Sequence, residues 1–285
     1  MPEETVASLL KQAAAKLEKS PGGVARLEAE ILLSHLLQTP RSHLFAWPEM
    51  PVPKAIRRRF EVLLAERIGG EPIAYLTGNR EFWSLELRVN RDTLIPRPET
   101  ELLVEQTLEI LRQRRGALVA DLGTGSGAIS AALASERPDW RIIATDRSFA
   151  ALAIARENFR RLGLGNVHCA GGAWCDALAP DGEFDAIVSN PPYIADGDPH
   201  LQQHGLDREP AAALVSGSDG LDDIRCIVEA SLTRLKADGW LLLEHGYCQG
   251  GAVRRLLRAG GYRDCASRRD LAGQERISWG RRAAG

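Results

Sequence analysis

From Ala117 onward, short apolar runs alternate with amphipathic segments along the rest of the chain. Residues 117–122, 141–145, 167–170, 184–189 and 240–244 read as strands, and 128–135, 149–162, 221–235 and 253–259 as helices. A strand buried on both faces gives a continuous apolar run, and a crossover helix brings the chain back parallel to it. This order predicts an α/β fold with a doubly wound, mostly parallel sheet. Residues 262–268 and 275–280, joined by a short turn at 270–273, predict an antiparallel closing pair, for seven strands in all.

The first part of the chain has a different pattern. Val6, Leu9, Leu10, Ala13 and Leu17 recur at helical spacing, as do Leu27, Ile31, Leu32, Leu36 and Leu37. Ser20-Pro21-Gly22-Gly23 separates these helices, and Pro40 ends the second. Pro51 and Pro53 precede a third amphipathic run, 56–68, closed by Gly69-Gly70. Such short helices predict a small bundle suited to packing or partner binding, without a catalytic constellation. Trp83, Leu85, Leu87 and Val89 then alternate with Ser84, Glu86 and Arg88, the period of a half-buried strand. With the turn signal Gly78-Asn79 upstream, this predicts a β-hairpin between domains. A helix should follow, running to about residue 114, with Thr100 as its candidate cap and Arg112, Arg114 and Arg115 at its end. The expected division is a helical domain over 1–75, a hairpin linker over 76–100 and a catalytic domain over 101–285.

Composition narrows the possible partners. The formal charge of -2 over 285 residues gives no basic surface in bulk, against a duplex held by its phosphates. The five cysteines are odd in number and form no C-x-x-C pair, which suits reduced thiols. Residues 1–19 lack the apolar core of a signal peptide, and no apolar stretch approaches the length of a membrane span. A cytoplasmic protein without a membrane partner is expected.

Asp121-Leu122-Gly123-Thr124-Gly125-Ser126-Gly127-Ala128 joins the first strand of the alternating region to its first helix. Glycines there let the backbone turn tightly and approach a ligand. Gly123-x-Gly125-x-x-Ala128 also fits a dinucleotide fingerprint, and Asp146 follows the next strand where a ribose would be held. Asp121 separates the two ligands: a carboxylate there repels a pyrophosphate and attracts the ammonium and sulfonium of S-adenosylmethionine. Trp174, after the third strand, is a candidate for stacking on adenine and equally a candidate for the core.

Asn190-Pro191-Pro192-Tyr193 follows strand 184–189 at the carboxyl edge of the sheet, where ligands bind in open α/β folds. The Asn190 carboxamide offers a donor and an acceptor. Pro191 and Pro192 fix the backbone and aim carbonyls outward. Tyr193 offers a ring to stack on a flat group. Together they suit a planar amide or amine nitrogen that is methylated by positioning, without a strong base. Both a protein amide and an adenine amino group in nucleic acid meet that description. The adenine-N6 alternative normally needs a target-recognition region and a basic groove, whereas the loop 195–220 is short and acidic-leaning. His200 and His204 have helical spacing but no third ligand, so no metal is expected.

The chain resembles the PrmC/HemK family of N5-glutamine methyltransferases acting on class 1 peptide chain release factors. The likeness is carried by Glu81-Phe82-Trp83, Leu94-Ile95-Pro96-Arg97-Pro98-Glu99-Thr100-Glu101, residues 121–127, 189–194 and Leu241-Leu242-Leu243-Glu244-His245-Gly246-Tyr247. It implies a class I, Rossmann-like methyltransferase domain and an N-terminal domain that helps recognise the release factor. The target implied is the glutamine of a Gly-Gly-Gln loop, with S-adenosylhomocysteine as product; a monomer is expected. It also implies cofactor contacts at Gly123, Thr124, Gly125, Ser126, Gly127, Asp146, Trp174 and Asn190, to which the charge argument adds Asp121. Substrate contacts would be Asn190, Pro191, Pro192 and Tyr193, with Asn190, Pro191 and Tyr193 catalytic. Ala173 stands where family members usually carry Asp, and Cys248 where a polar residue is common.

Overall fold

The structure is a computed structural model in which residues 4–18, 24–180, 183–202 and 205–283 are described. The break at Ser20-Pro21-Gly22-Gly23 and the side chain of His204 lie outside them. The chain forms two compact units, Met1–Asn79 with Pro199–Arg208, and Arg80–Asp198 with Glu209–Gly285.

The first unit contains α1 (Val6–Leu17), α2 (Ala25–Leu37), α3 (Arg41–Ala46), α4 (Lys54–Ile68) and α5 (Ile73–Thr77). Thr5 starts α1 as its cap, accepting the Ser8 amide hydrogen at 3.3 Å. Val6, Leu9, Leu10, Ala13, Leu17, Leu32 and Leu36 enter one core, as their helical spacing predicts, together with Leu33, Phe60 and Leu64, whereas Leu27 and Ile31 are only half-buried and lie outside it. The buried Glu30 carboxylate is matched by Arg26 at 2.7 Å and Arg41 at 2.9 Å, which removes the cost of an unpaired charge. Arg208 donates to the Gly69 carbonyl at 3.0 Å and ties segment 199–208 to the bundle.

The second unit begins with a hairpin of β1 (Asn79–Phe82) and β2 (Leu85–Arg88). Its turn is at Trp83-Ser84, where φ is 54° and 57°, and not at Gly78-Asn79. Positive φ at both central residues matches the right-handed twist of the strands. Glu81 and Glu101 compensate for the strain by accepting the Ser84 and Trp83 amide hydrogens at 2.9 and 2.8 Å. Gly78 instead closes α5 in the left-handed conformation.

The sheet contains β3 (Leu118–Leu122), β4 (Arg141–Asp146), β5 (Val167–Gly171), β6 (Phe184–Ser189), β7 (Leu235–Glu244), β8 (Tyr262–Arg269) and β9 (Glu275–Arg282), in the order β5-β4-β3-β6-β7-β9-β8. The first five are parallel, and β9 runs antiparallel to both β7 and β8. The helices are α6 (Glu101–Ile110), α7 (Ala128–Glu136), α8 (Phe149–Arg161), α9 (Asp222–Ser231) and α10 (Gly250–Ala259). Alternate residues of the central strands enter two cores. Val119, Ala186 and Leu242 pack with α6, α7 and α8. Ala120, Ile187 and Leu241 pack with α9 and α10. Helices on both faces are the expected doubly wound arrangement.

Two elements end earlier than their patterns suggest. Helix α6 stops at Ile110, so Arg112, Arg114 and Arg115 lie beyond it. The run 221–235 divides into α9 and the start of β7, because β7 carries an irregularity against β6 and Asp238 sits at φ 64°. A bulge interrupts the period that would mark a strand.

Candidate active site

Leu122 pairs with Ser189 at the carboxyl ends of β3 and β6. The strand order reverses at this pair, since β4 and β5 lie on one side of β3 and β6 on the other. Ligands bind at such a switch point. The next residues of the two strands are Gly123 and Asn190, so both sequence motifs begin beside one another.

The glycine loop is held open by its own backbone. Gly123, Gly125 and Gly127 have φ of 71°, 55° and 86°, which L side chains rarely adopt. The Gly125 amide donates to Asp146 Oδ2 at 2.9 Å, and Thr124 donates to the Thr145 carbonyl at 2.8 Å, so the loop is pinned to the end of β4. The glycines have separate causes. A Cβ on Gly125 would meet nothing, whereas one on Gly127 would lie 2.6 Å from the Phe159 ring. Gly125 faces open space, and Gly127 is required by packing.

Asp121 is buried behind this loop. Its Oδ2 accepts from the Thr124 hydroxyl at 2.6 Å and from the Ser130 hydroxyl and amide at 2.7 and 3.2 Å. Its Oδ1 has no hydrogen-bond partner. Burial pushes the carboxyl up to about 6, against the downward pull of the Thr124 and Ser130 hydrogen bonds.

In front of the loop is a cleft of about 270 Å³ whose lining includes Leu94, Gly123, Gly125, Asp146, Ala173, Trp174, Asn190 and Pro192. Trp174, at φ 45°, lies against the loop, with its ring 3.2 Å from where a Gly123 Cβ would be. Asp121, Thr124, Ser126 and Gly127 do not line the cleft; Thr124 and Ser126 are buried behind it. Ala173 supplies no polar group there, and nothing in the structure explains Cys248.

At the β6 end, the Asn190 amide donates from Nδ2 to Thr100 Oγ1 at 3.1 Å. Thr100 makes no capping bond to α6, since it has helical backbone angles and closes a 3₁₀ turn. Its hydroxyl accepts from Asn190 instead. Pro191 and Pro192 are buried. The Tyr193 hydroxyl donates to Glu244 Oε1 at 3.3 Å, and the Tyr193 carbonyl accepts from Gln249 Nε2 at 3.0 Å. Glu244 is buried at the end of β7, where Leu243 pairs with Ser189. Burial pushes its carboxyl up to about 7, with the Thr100 and Tyr193 hydroxyls and Arg276 pulling down and Glu99 pushing up. Burial and the adjacent Glu244 also raise the Tyr193 phenol.

Thr100 thus meets Asn190 and Glu244 meets Tyr193, two contacts that motif reading did not assign. The signal for Glu244 was a carboxylate ending an apolar strand, at the edge where β3 and β6 end in Gly123 and Asn190. Among the described residues no cluster suits a metal ion, and no helix is long and apolar enough to cross a membrane.

Residues 8–78 match the PrmC N-terminal domain, and residues 98–216 the methyltransferase small domain. The release factor glutamine methyltransferase of Pseudomonas aeruginosa is 51% identical over 277 residues, covering 97% of this chain and 98% of that protein. Its counterpart in Coxiella burnetii is 49% identical over 257 residues, covering 90% and 92%. A solved methyltransferase from Pyrococcus furiosus shares the fold at a TM-score of 0.53 and 18% identity, over 77% of this chain and 98% of that one. On these matches, the chain belongs to the release factor glutamine methyltransferase family.

Proposed function

We propose that this protein transfers a methyl group from S-adenosyl-L-methionine to the side-chain amide nitrogen, N5, of the glutamine in the Gly-Gly-Gln motif of class 1 peptide chain release factors, thereby modulating termination. The observation that carries the reading is the Leu122–Ser189 pairing, which sets a glycine cradle and an Asn-Pro-Pro-Tyr acceptor motif side by side. The names of its relatives supply the acceptor.

The residues fit the cofactor on two counts. Gly125 leaves open the space that a Cβ would fill, and Asp121 Oδ1 is a buried carboxylate oxygen without a partner, suited to a cation. Gly123, Gly125 and Asn190 line the cleft and would hold the group, with Asp146 on its ribose and Trp174 against its adenine, while Asp121, Thr124, Ser126 and Gly127 would shape the loop from behind it. When bound, it supplies an electrophilic methyl on a sulfonium and leaves as S-adenosylhomocysteine.

A glutamine amide is a weak nucleophile because its lone pair is delocalised, so orientation must do most of the work. Asn190 pairs with the acceptor amide, the proline-segment carbonyls hold its N–H hydrogens, and the Tyr193 ring stacks on its plane. The acceptor nitrogen gains the methyl and gives one proton to water, while the sulfur keeps the electron pair of the broken S–CH₃ bond. In this reading residues 1–75 recognise the release factor, 76–100 link, and 101–285 catalyse. We place a monomer in the cytoplasm, consistent with five free cysteines.

The test is to incubate the protein with labelled S-adenosylmethionine and a release factor, its Gly-Gly-Gln→Gly-Gly-Ala variant, or duplex DNA. Label only on the first is expected. Label on DNA, or equal label on both proteins, would overturn the proposal.

A further inference from the structure

We propose that Gln249 is a positioning residue for methyl transfer: its carboxamide clamps the carbonyl of Tyr193 and so sets where the acceptor motif presents its ring and backbone. The inference rests on the reaction proposed above and adds to it a residue outside both sequence motifs. Gln249 caps α10, yet its side chain makes no capping bond. It is used at the sheet edge instead. Nε2 donates to the Tyr193 carbonyl at 3.0 Å and to the Asp219 carbonyl at 3.3 Å, and Oε1 accepts from the Gly246 amide at 2.8 Å.

A carboxamide carries two N–H donors and one carbonyl acceptor. Here backbone carbonyls face the nitrogen and a backbone N–H faces the oxygen, and neither kind of partner can reverse its polarity. The orientation of Gln249 is therefore determined, and it joins the end of the acceptor motif, the turn before α9 and the connection from β7 to α10. Two glycines make room for the join. A Cβ on Gly220, at φ 74°, would strike the Tyr193 carbonyl oxygen and lie 2.9 Å from Gln249 Nε2. One on Gly246 would lie 3.0 Å from Gln249 Oε1. Tyr193 is thus held at both ends by the 244–249 connection, its carbonyl by Gln249 and its hydroxyl by Glu244. Pro191 and Pro192 have locked φ angles, so the restraint carries back to Asn190. An acceptor aligned within a narrow range of angles requires that kind of rigid support. The charged groups around the clamp are committed elsewhere: Asp219 to Arg225 at 3.0 Å, Glu275 to Arg254 at 2.9 Å, and His245 to the Gly246 carbonyl and Ser278.

The test uses the full-length protein with a release factor as methyl acceptor. Gln249→Met keeps the length of the side chain and removes its three hydrogen bonds. It should lower kcat about tenfold or more while Kd for S-adenosylmethionine stays within about twofold. Gln249→Glu keeps an oxygen for the Gly246 amide and sets its second oxygen against the Tyr193 and Asp219 carbonyls. Protonated, that oxygen donates to one of them; ionised, it repels both. The kcat of this variant relative to the parent should therefore be several-fold higher at about pH 6 than at about pH 8. That ratio decides whether or not Gln249→Met folds. Gln249→Met with kcat within about twofold of the parent, or a Gln249→Glu ratio independent of pH, would overturn the clamp. The carbonyl carbon resonance of Tyr193, read by NMR, tests the clamp without turnover. It should move upfield in Gln249→Met as the hydrogen bond is lost, and an unchanged resonance would overturn the clamp. A parent that methylates no release factor, with the resonance shifted in the variant, would sink the proposed reaction and leave the clamp on Tyr193 standing.

Discussion

Asp121 and Ser130 are joined twice, because one carboxylate oxygen accepts both the Ser130 hydroxyl at 2.7 Å and its amide hydrogen at 3.2 Å. The bond pair fastens the end of β3 to the first turn of α7 and spends only Oδ2. Oδ1 stays bare and buried. One carboxylate is thereby divided between a structural oxygen and one without a partner.

That division separates stability from binding in Asp121→Asn. An asparagine can keep its oxygen on Ser130 while its NH₂ replaces Oδ1, turning an acceptor into a donor. Hydrogen bonds to charged groups contribute about 1.5–3 kcal/mol, so affinity for S-adenosylmethionine should fall about tenfold to a hundredfold. The melting temperature should hold or rise, since a buried charge is removed. Calorimetric titration and thermal melts on the same sample check this; equal affinity would return Asp121 to a purely structural role.

The glycine loop yields a paired prediction. Gly127→Ala places a Cβ 2.6 Å from the Phe159 ring at φ 86°, so both overpacking and left-handed strain apply. A loss of roughly 2–4 kcal/mol is expected from those two costs. Gly125→Ala meets no neighbour but projects into the cleft, so stability should fall by only about 1 kcal/mol while cofactor binding is largely lost. Denaturant midpoints and binding isotherms of the two variants should therefore move in opposite proportion.

The doubly wound sheet was legible because buried strands and amphipathic helices carry different periods. The meeting of two motifs at the switch point was legible because Gly123 to Gly127 and Asn190 to Tyr193 are local strings at strand ends, but which of their residues line the cleft was not. What escaped was non-local or strained. Trp83 looked like a strand residue because side-chain period says nothing about φ, and its turn is held by Glu101, eighteen positions away. Thr100 looked like a cap because its partner, Asn190, is 90 positions distant. Glu244 is a carboxylate ending an apolar strand, and only the β6–β7 register reveals that it stands beside the acceptor motif.

Buried ionisable groups give the fold a pH signature. Asp121 and Glu244 have carboxyls raised from 3.8 and 4.5 to about 6 and about 7. The folded chain therefore holds protons that the unfolded chain has released, and stability falls as pH rises from about 4 through 7. His245 acts in the opposite sense. Its Nδ1 meets the Gly246 carbonyl at 2.9 Å, so Nδ1 donates and Nε2 accepts from Ser278 at 2.8 Å. Burial lowers its pKa, so its contribution is present above about 6.5 and lost on acidification. Glu244→Gln should remove the first trend in part, gaining on the order of 3 kcal/mol relative to the parent between pH 5 and 8. Chemical denaturation at several pH values checks the slope, and parallel curves would exclude Glu244 as its source.

Tyr193→Phe tests the link between acceptor motif and buried acid from the other side. Phenylalanine keeps the ring for stacking and removes only the hydroxyl that donates to Glu244 Oε1. That donor favours the ionised carboxylate, so its loss raises the Glu244 pKa above about 7. If transfer requires ionised Glu244, the acid limb of the kcat profile moves to higher pH. The rate at pH 7 then falls several-fold, because less of the enzyme carries the charge. At pH 9 the variant should approach the parent, since the carboxylate is again ionised. A loss that is constant across pH would instead place the hydroxyl in contact with the acceptor itself.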